Sequence, residues 1–317
     1  MDPEQIFLAE GTLRSIWRFF LGVTVAFAAF VYAAEVTRWA STVIGRGQWG
    51  PWAILFWALV ATLAATLGGF KALTQIFDRR PLRAMGLALH SRWMKELGQG
   101  LALGSAMILL VVAPEWTCGL ARFTFAGLPA PRAMSLTFVI LAVAAANEEI
   151  VFRGYPFQRL VESITPAGAV VVSSVLFGVV HLSNPHHTLF STVNTALVGV
   201  AFALAYLRTR ALWMPIGMHF IWNFLMGFVL GLPVSGIDFP ATMLRANAVG
   251  PPWLTGGDYG PEGGLLATVA ILAATGFLFF SKHLSISKDM RALALAAAPP
   301  RETERPISIF DPGPKGD

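Results

Sequence analysis

The residues with most chemistry to offer are two adjacent carboxylates, Glu148 and Glu149. They close a run of thirteen residues, Ser135 to Asn147, in which nothing is charged. An ionised group deep in a bilayer costs about 2.5–3.5 kcal/mol on insertion scales, so a chain that keeps one pairs it, wets it or uses it. Arg153 follows Glu149 by four residues, which puts both on one helical face where they can pair. Glu148 is turned about 100° from that face and has no such partner in the local sequence. Two further stretches carry imidazoles: Phe177-Gly178-Val179-Val180-His181, and His219-Phe220-Ile221-Trp222-Asn223, which sets an imidazole and a carboxamide one turn apart. Together these are the parts for hydrolysis by water. A glutamate with a histidine holds and deprotonates the water; a second histidine with an amide donates to the developing oxyanion.

Each residue also has a plainer reading. A lone intramembrane histidine, or Asn223 alone, serves as well for a hydrogen bond between helices. Glu149 with Arg153 reads as a structural pair, and Glu148 alone as a proton-relay carboxylate. Glu148, His181 and His219 are in addition a credible zinc set, although the HExxH pattern is missing. His186 and His187 follow a proline at a helix end and read as exposed; His90 and His283 lie in charged segments and read as solvated.

The elements that must position these groups are membrane helices. Of 317 residues 55% are hydrophobic and only 13% charged, the mean hydropathy is +0.62, and a soluble domain carries about 25% charge. Apolar runs of spanning length fall at Ile16–Ala34, Trp52–Phe70, Gly100–Ala113, Ser135–Arg153, Ala167–Leu182, Leu189–Leu207, Leu212–Leu230 and Leu265–Phe280. The third and fifth are short and need their flanks. The first resembles a signal peptide but lacks a good cleavage site, which favours a retained helix. The expected fold is therefore an all-α polytopic bundle of about eight transmembrane helices. Residues 1–78 supply the first helices, 79–231 a catalytic core, 232–281 an outside loop and last helix, and 282–317 a cytoplasmic, disordered tail.

Basic residues set the orientation. With both termini cytoplasmic, 18 of the 23 Lys and Arg fall inside, and only Arg38, Arg46, Arg122, Arg132 and Arg245 outside. Because the positive charge is spread over loops, the net +5 does not signal nucleic-acid binding. The single Cys118 excludes an internal disulfide and a cysteine metal cluster. Asp78–Gln99 reads equally as an amphipathic interfacial stretch or a plain connection, and Pro233–Gly264 as irregular structure. From the Ser163–Pro166 turn, Glu148 and His181 each lie roughly 24 Å along their helices, hence level with each other.

The three clusters match, in order, the EExxxR, FxxxH and HxxxN motifs, and over about Arg79–Gly231 the chain resembles the CPBP (CAAX protease and bacteriocin-processing, or Abi) family of intramembrane proteases. No motif position departs from the pattern. The resemblance implies eight helices around a cavity open to the cytoplasm, with Glu148 as general base and His181 helping to activate water. His219 and Asn223 would stabilise the oxyanion, and Glu149, Arg153 and Phe177 would support the site. It favours a glutamate mechanism without zinc or other cofactor. It implies an integral, multi-pass protein of a prokaryotic plasma membrane that cuts a peptide or lipid-modified protein near the cytoplasmic surface. The residues also allow a non-catalytic scaffold or immunity factor, or a cation or proton transporter.

Overall fold

The computed structural model describes residues 6–9, 12–43, 50–295 and 307–310. All eight apolar runs are helical. They form α1 (Ser15–Val43), α2 (Gly50–Ile76), α3 (Trp93–Thr117), α4 (Pro131–Arg153) with its continuation α5 (Tyr155–Ser163), α6 (Pro166–Val180), α7 (Leu189–Thr209), α8 (Trp213–Asn223) and α9 (Leu265–Phe280). Six spans are long and apolar enough to cross a membrane, with α4 and α5 counted as one. The other two are shorter: α8 is prolonged by a π-helical turn at Phe224–Val229, and α9 has 16 residues. Phe27, Phe30, Leu109 and Phe280 are among the large apolar side chains left on the outside, as lipid requires.

Two local features fix the helices that matter. Gly154 breaks the fourth span after the EExxxR motif, because a Cβ there would lie 2.2 Å from the Ile150 carbonyl oxygen. Glycines also let α8 press onto α3: a Cβ on Gly100 would meet the Met214 carbonyl at 2.2 Å, and one on Gly217 the Leu97 carbonyl at 2.6 Å. Close backbone approach through small residues is the usual means of helix association in lipid. Here it indexes α8, which carries His219 and Asn223, against its neighbour.

The bundle has two unlike ends. At the basic end, Asp78 binds Arg18 and Arg159, and Glu162 binds Arg159 (2.6 Å), Arg80 (3.5 Å) and the Ser15 hydroxyl (3.2 Å). At the loop end, strand β1 (Ala121–Phe125) pairs antiparallel with β2 (Leu244–Ala248), tying the connection after α3 to Pro233–Gly264. That long segment was expected to be irregular; the strand and several short turns order it instead, because Gly and Pro permit tight reversals while its apolar residues pack inward.

Three other expectations shift. Asp78–Gln99 is neither a single amphipathic stretch nor a bare connection: a short 3-10 turn, Leu82–Met85, precedes α3, which already begins at Trp93. His90 is buried rather than solvated; it lies 3.1 Å from Glu96, and burial pushes its imidazole below the ordinary range. The 282–317 segment contains a helix, α10 (Lys288–Leu295), whose Met290 and Ala294 face inward while Asp289 accepts from the Ser91 amide and hydroxyl. Further on, Ser308 is buried with its hydroxyl on the Leu207 carbonyl. The remainder of the expected disordered tail, 296–306 and 311–317, lies outside the described residues.

Candidate active site

Glu148 and Glu149 lie in the last turns of α4, and consecutive positions on a helix point about 100° apart. Glu149 is fully buried. Its Oε1 lies 3.3 Å from the Arg153 guanidinium and 3.0 Å from His219 Nδ1. Arg153 is also fully buried, donates to the Gly199 carbonyl at 3.0 Å, and stands 4.4 Å above the Phe177 ring. Glu148 points elsewhere, with 36% of its side chain exposed, and Oε2 lies 3.7 Å from His181 Nε2 and 3.9 Å from His219 Nε2. That oxygen is itself buried and has no hydrogen-bond partner among the described residues.

The histidines are anchored by their other nitrogens. His181, which caps α6, donates Nδ1–H to the Phe177 carbonyl at 2.7 Å. His219 gives Nδ1–H to Glu149 and stacks on Phe202 with centroids 5.0 Å apart. With Nδ1 so engaged, a ring in its neutral form presents a bare Nε2 towards Glu148. Three acceptors this close repel unless protons lie between them. Separations of 3.7–3.9 Å suit a shared water better than a direct bond. Asn223, one turn beyond His219, lines the same cavity, and its amide makes no hydrogen bond within the protein among the described residues. The wide helical turn that follows it is a form common beside functional sites. Among the described residues, no group of three or more His, Cys, Asp or Glu side chains is arranged to hold a metal ion.

Residues 130–225 match the family model described as type II CAAX prenyl endopeptidase, Rce1-like. That match and the relative that follows support the resemblance to CPBP-family proteases. The Bacillus subtilis (strain 168) protein named "Putative membrane peptidase YdiL" is 34% identical over 93 residues, which cover 29% of this chain and 36% of that relative. The chain thus spans about a third of the relative it matches. No solved structure matches it.

The residues singled out in the motifs come together: Phe177, His181, His219 and Asn223 line the cavity, Glu148 lies beside the two imidazoles, and Glu149 joins His219 to Arg153. His186, His187 and His283 stay exposed. Sequence reasoning missed the wall contributed by the loop end. Ser235 and Glu262 line the cavity; the Glu262 carboxylate accepts from Trp222 Nε1 (3.1 Å) and from the Ser235 amide (2.6 Å) and hydroxyl (2.7 Å). Only Trp222, inside the HxxxN motif, offered a sign of this wall. The CPBP cavity was also expected to open to the cytoplasm. Ser235 and Glu262 of Pro233–Gly264 wall it on one side.

Proposed function

We propose that the protein is an intramembrane endopeptidase in which Glu148 is the general base. The reading is carried by one observation: the Glu148 oxygen that faces two anchored imidazoles is buried and unpartnered. A water held between Glu148 Oε2 and His181 Nε2 gives its proton to the carboxylate, and its oxygen attacks the carbonyl carbon of the scissile peptide. The negative charge moves to the carbonyl oxygen, which takes hydrogen bonds from the Asn223 amide and from His219 once its Nε2 is protonated. Glu148 then passes its proton to the departing amine, leaving a carboxylate and an amine. Glu149 and Arg153 touch no reacting atom; they fix the His219 ring.

The family match and the name of the relative support peptidase chemistry. A lipid-modified or membrane-inserted polypeptide fits a site on spanning helices. The test compares the membrane-proteome termini of cells making the parent or Glu148→Gln. New termini are expected only with the parent and should persist in chelator. Identical termini with both proteins would leave a scaffold or a transporter; loss in chelator, restored by zinc, would replace the metal-free step.

A further inference from the structure

Three consecutive residues of α4 address three different neighbours. Side chains one position apart on a helix leave it about 100° apart, so Asn147 and Glu149 stand to either side of Glu148. Glu149 reaches α8, where its Oε1 lies 3.0 Å from His219 Nδ1. Glu148 faces His181 and His219 at 3.7 and 3.9 Å. Asn147 reaches α2: its Nδ2 donates to the Leu59 carbonyl at 2.8 Å, across 88 positions of sequence. Leu59 and the whole of α2 lie outside the matched residues 130–225.

The needs of the two bonded groups do not explain this contact. The Leu59 carbonyl lies inside α2, where the helix ladder already supplies a donor. Asn147 is buried, and its Oδ1 has no hydrogen-bond partner among the described residues. A buried acceptor left without a partner destabilises the fold, whereas an apolar side chain of the same shape is nearly neutral. The carboxamide therefore gives up stability at one atom to keep a donor at the other. Its orientation is settled, since only the nitrogen can face a carbonyl.

What the donor holds is the roll of α4. Glu148 takes no hydrogen bond from the described residues, so the backbone beneath it, not a partner of its own, places its carboxylate. Side-chain ends stand about 5–6 Å from a helix axis, so a roll of about 10° shifts them by about 1 Å. A displacement of that size can lower a rate roughly 10²-fold.

Resting on the hydrolytic reading, we propose that Asn147 is a positioning residue for Glu148. Its bond to α2 and the bond of Glu149 to α8 grip one turn of α4 from opposite sides and aim the base at the two imidazoles. Asn147 itself touches no reacting atom. A helix beyond the matched segment thereby takes part in setting the geometry of the site.

Asn147→Leu removes both the donor and the orphaned acceptor at nearly constant volume. The purified variant is compared with the parent on one substrate, the polypeptide bearing the most abundant terminus that forms in parent but not in Glu148→Gln cells. Asn147→Leu should keep or gain heat resistance while kcat falls about ten- to a hundred-fold at unchanged KM. Asn147→Ala, which crowds nothing, should show the same loss of kcat if the leucine prevents folding. Parental kcat per folded molecule in either variant would make the bond ordinary helix-to-helix glue and overturn the proposal, as would a change in KM as large as that in kcat. Identical termini with parent and Glu148→Gln would instead remove the hydrolytic reading, and with it the base to be aimed; that result comes from Glu148 alone, before any Asn147 variant is compared.

Discussion

The basic end and the site handle buried polarity in opposite ways. At the basic end, two acids are shared among three arginines: Asp78 takes Arg18 and Arg159, and Glu162 takes Arg159 and Arg80. At the site, Glu149 puts one oxygen on both Arg153 and His219, while Glu148 takes no hydrogen bond from the described residues. The same residue type thus does different work according to whether its charge is neutralised on the spot. Pairing closes one end; the unpaired oxygen is free for chemistry.

The sharpest way to break that contrast is Glu148→Gln. It removes the base but no protein hydrogen bond of Oε2, so cleavage should fall by about 10²–10⁴ while thermal stability of the purified protein holds. A variant that unfolds would make Glu148 a structural group and erase the distinction. Asp78→Ala is the complement. It takes one acid partner from each of two buried guanidinium groups, Arg18 and Arg159, a loss of about 3–5 kcal/mol, visible as reduced heat resistance in detergent, with activity per folded molecule unchanged. Arg153→Lys tests the seam between the regions. It keeps the charge but loses the planar fork that reaches both Glu149 and the Gly199 carbonyl. Because it acts by letting the His219 ring shift, kcat should drop by about ten- to a hundred-fold with little change in KM; equal loss in both would mean that Arg153 binds substrate.

The smallest effect belongs to Asp289→Asn, outside the membrane. Hydrogen bonds from the Ser91 amide and hydroxyl hold the Asp289 carboxyl below its usual range. Its folded value lies below its unfolded one, so its stabilisation is present above the ordinary carboxylate range and lost as pH falls through the folded value. The variant should flatten that acid limb of the stability curve and barely alter stability at neutral pH. An unchanged acid limb would show that the group contributes nothing there.

How much of this was legible in the sequence depended on range. Glu149 with Arg153 could be read because four residues along a helix bring side chains together whatever else the protein does. The level placement of Glu148 and His181 followed from counting out of a single turn. The bond from Glu149 to His219 spans 70 positions and two spans, and no periodicity announces it. Glu262 was hidden for the same reason, in a stretch whose Gly and Pro advertise turns but not where they lead. His90 was misread because charged neighbours suggest water, whereas Glu96 in the first turns of α3 folds back over it.

The glycine contacts between α3 and α8 carry a consequence for how the site can move. With two backbones already touching at Gly100 and Gly217, the helix bearing His219 and Asn223 has no slack to roll or slide when a substrate arrives. Under the proposed hydrolysis, any opening and closing must then be supplied by the wall around Ser235 and Glu262, with His219 and Asn223 as the fixed anvil against which it shuts.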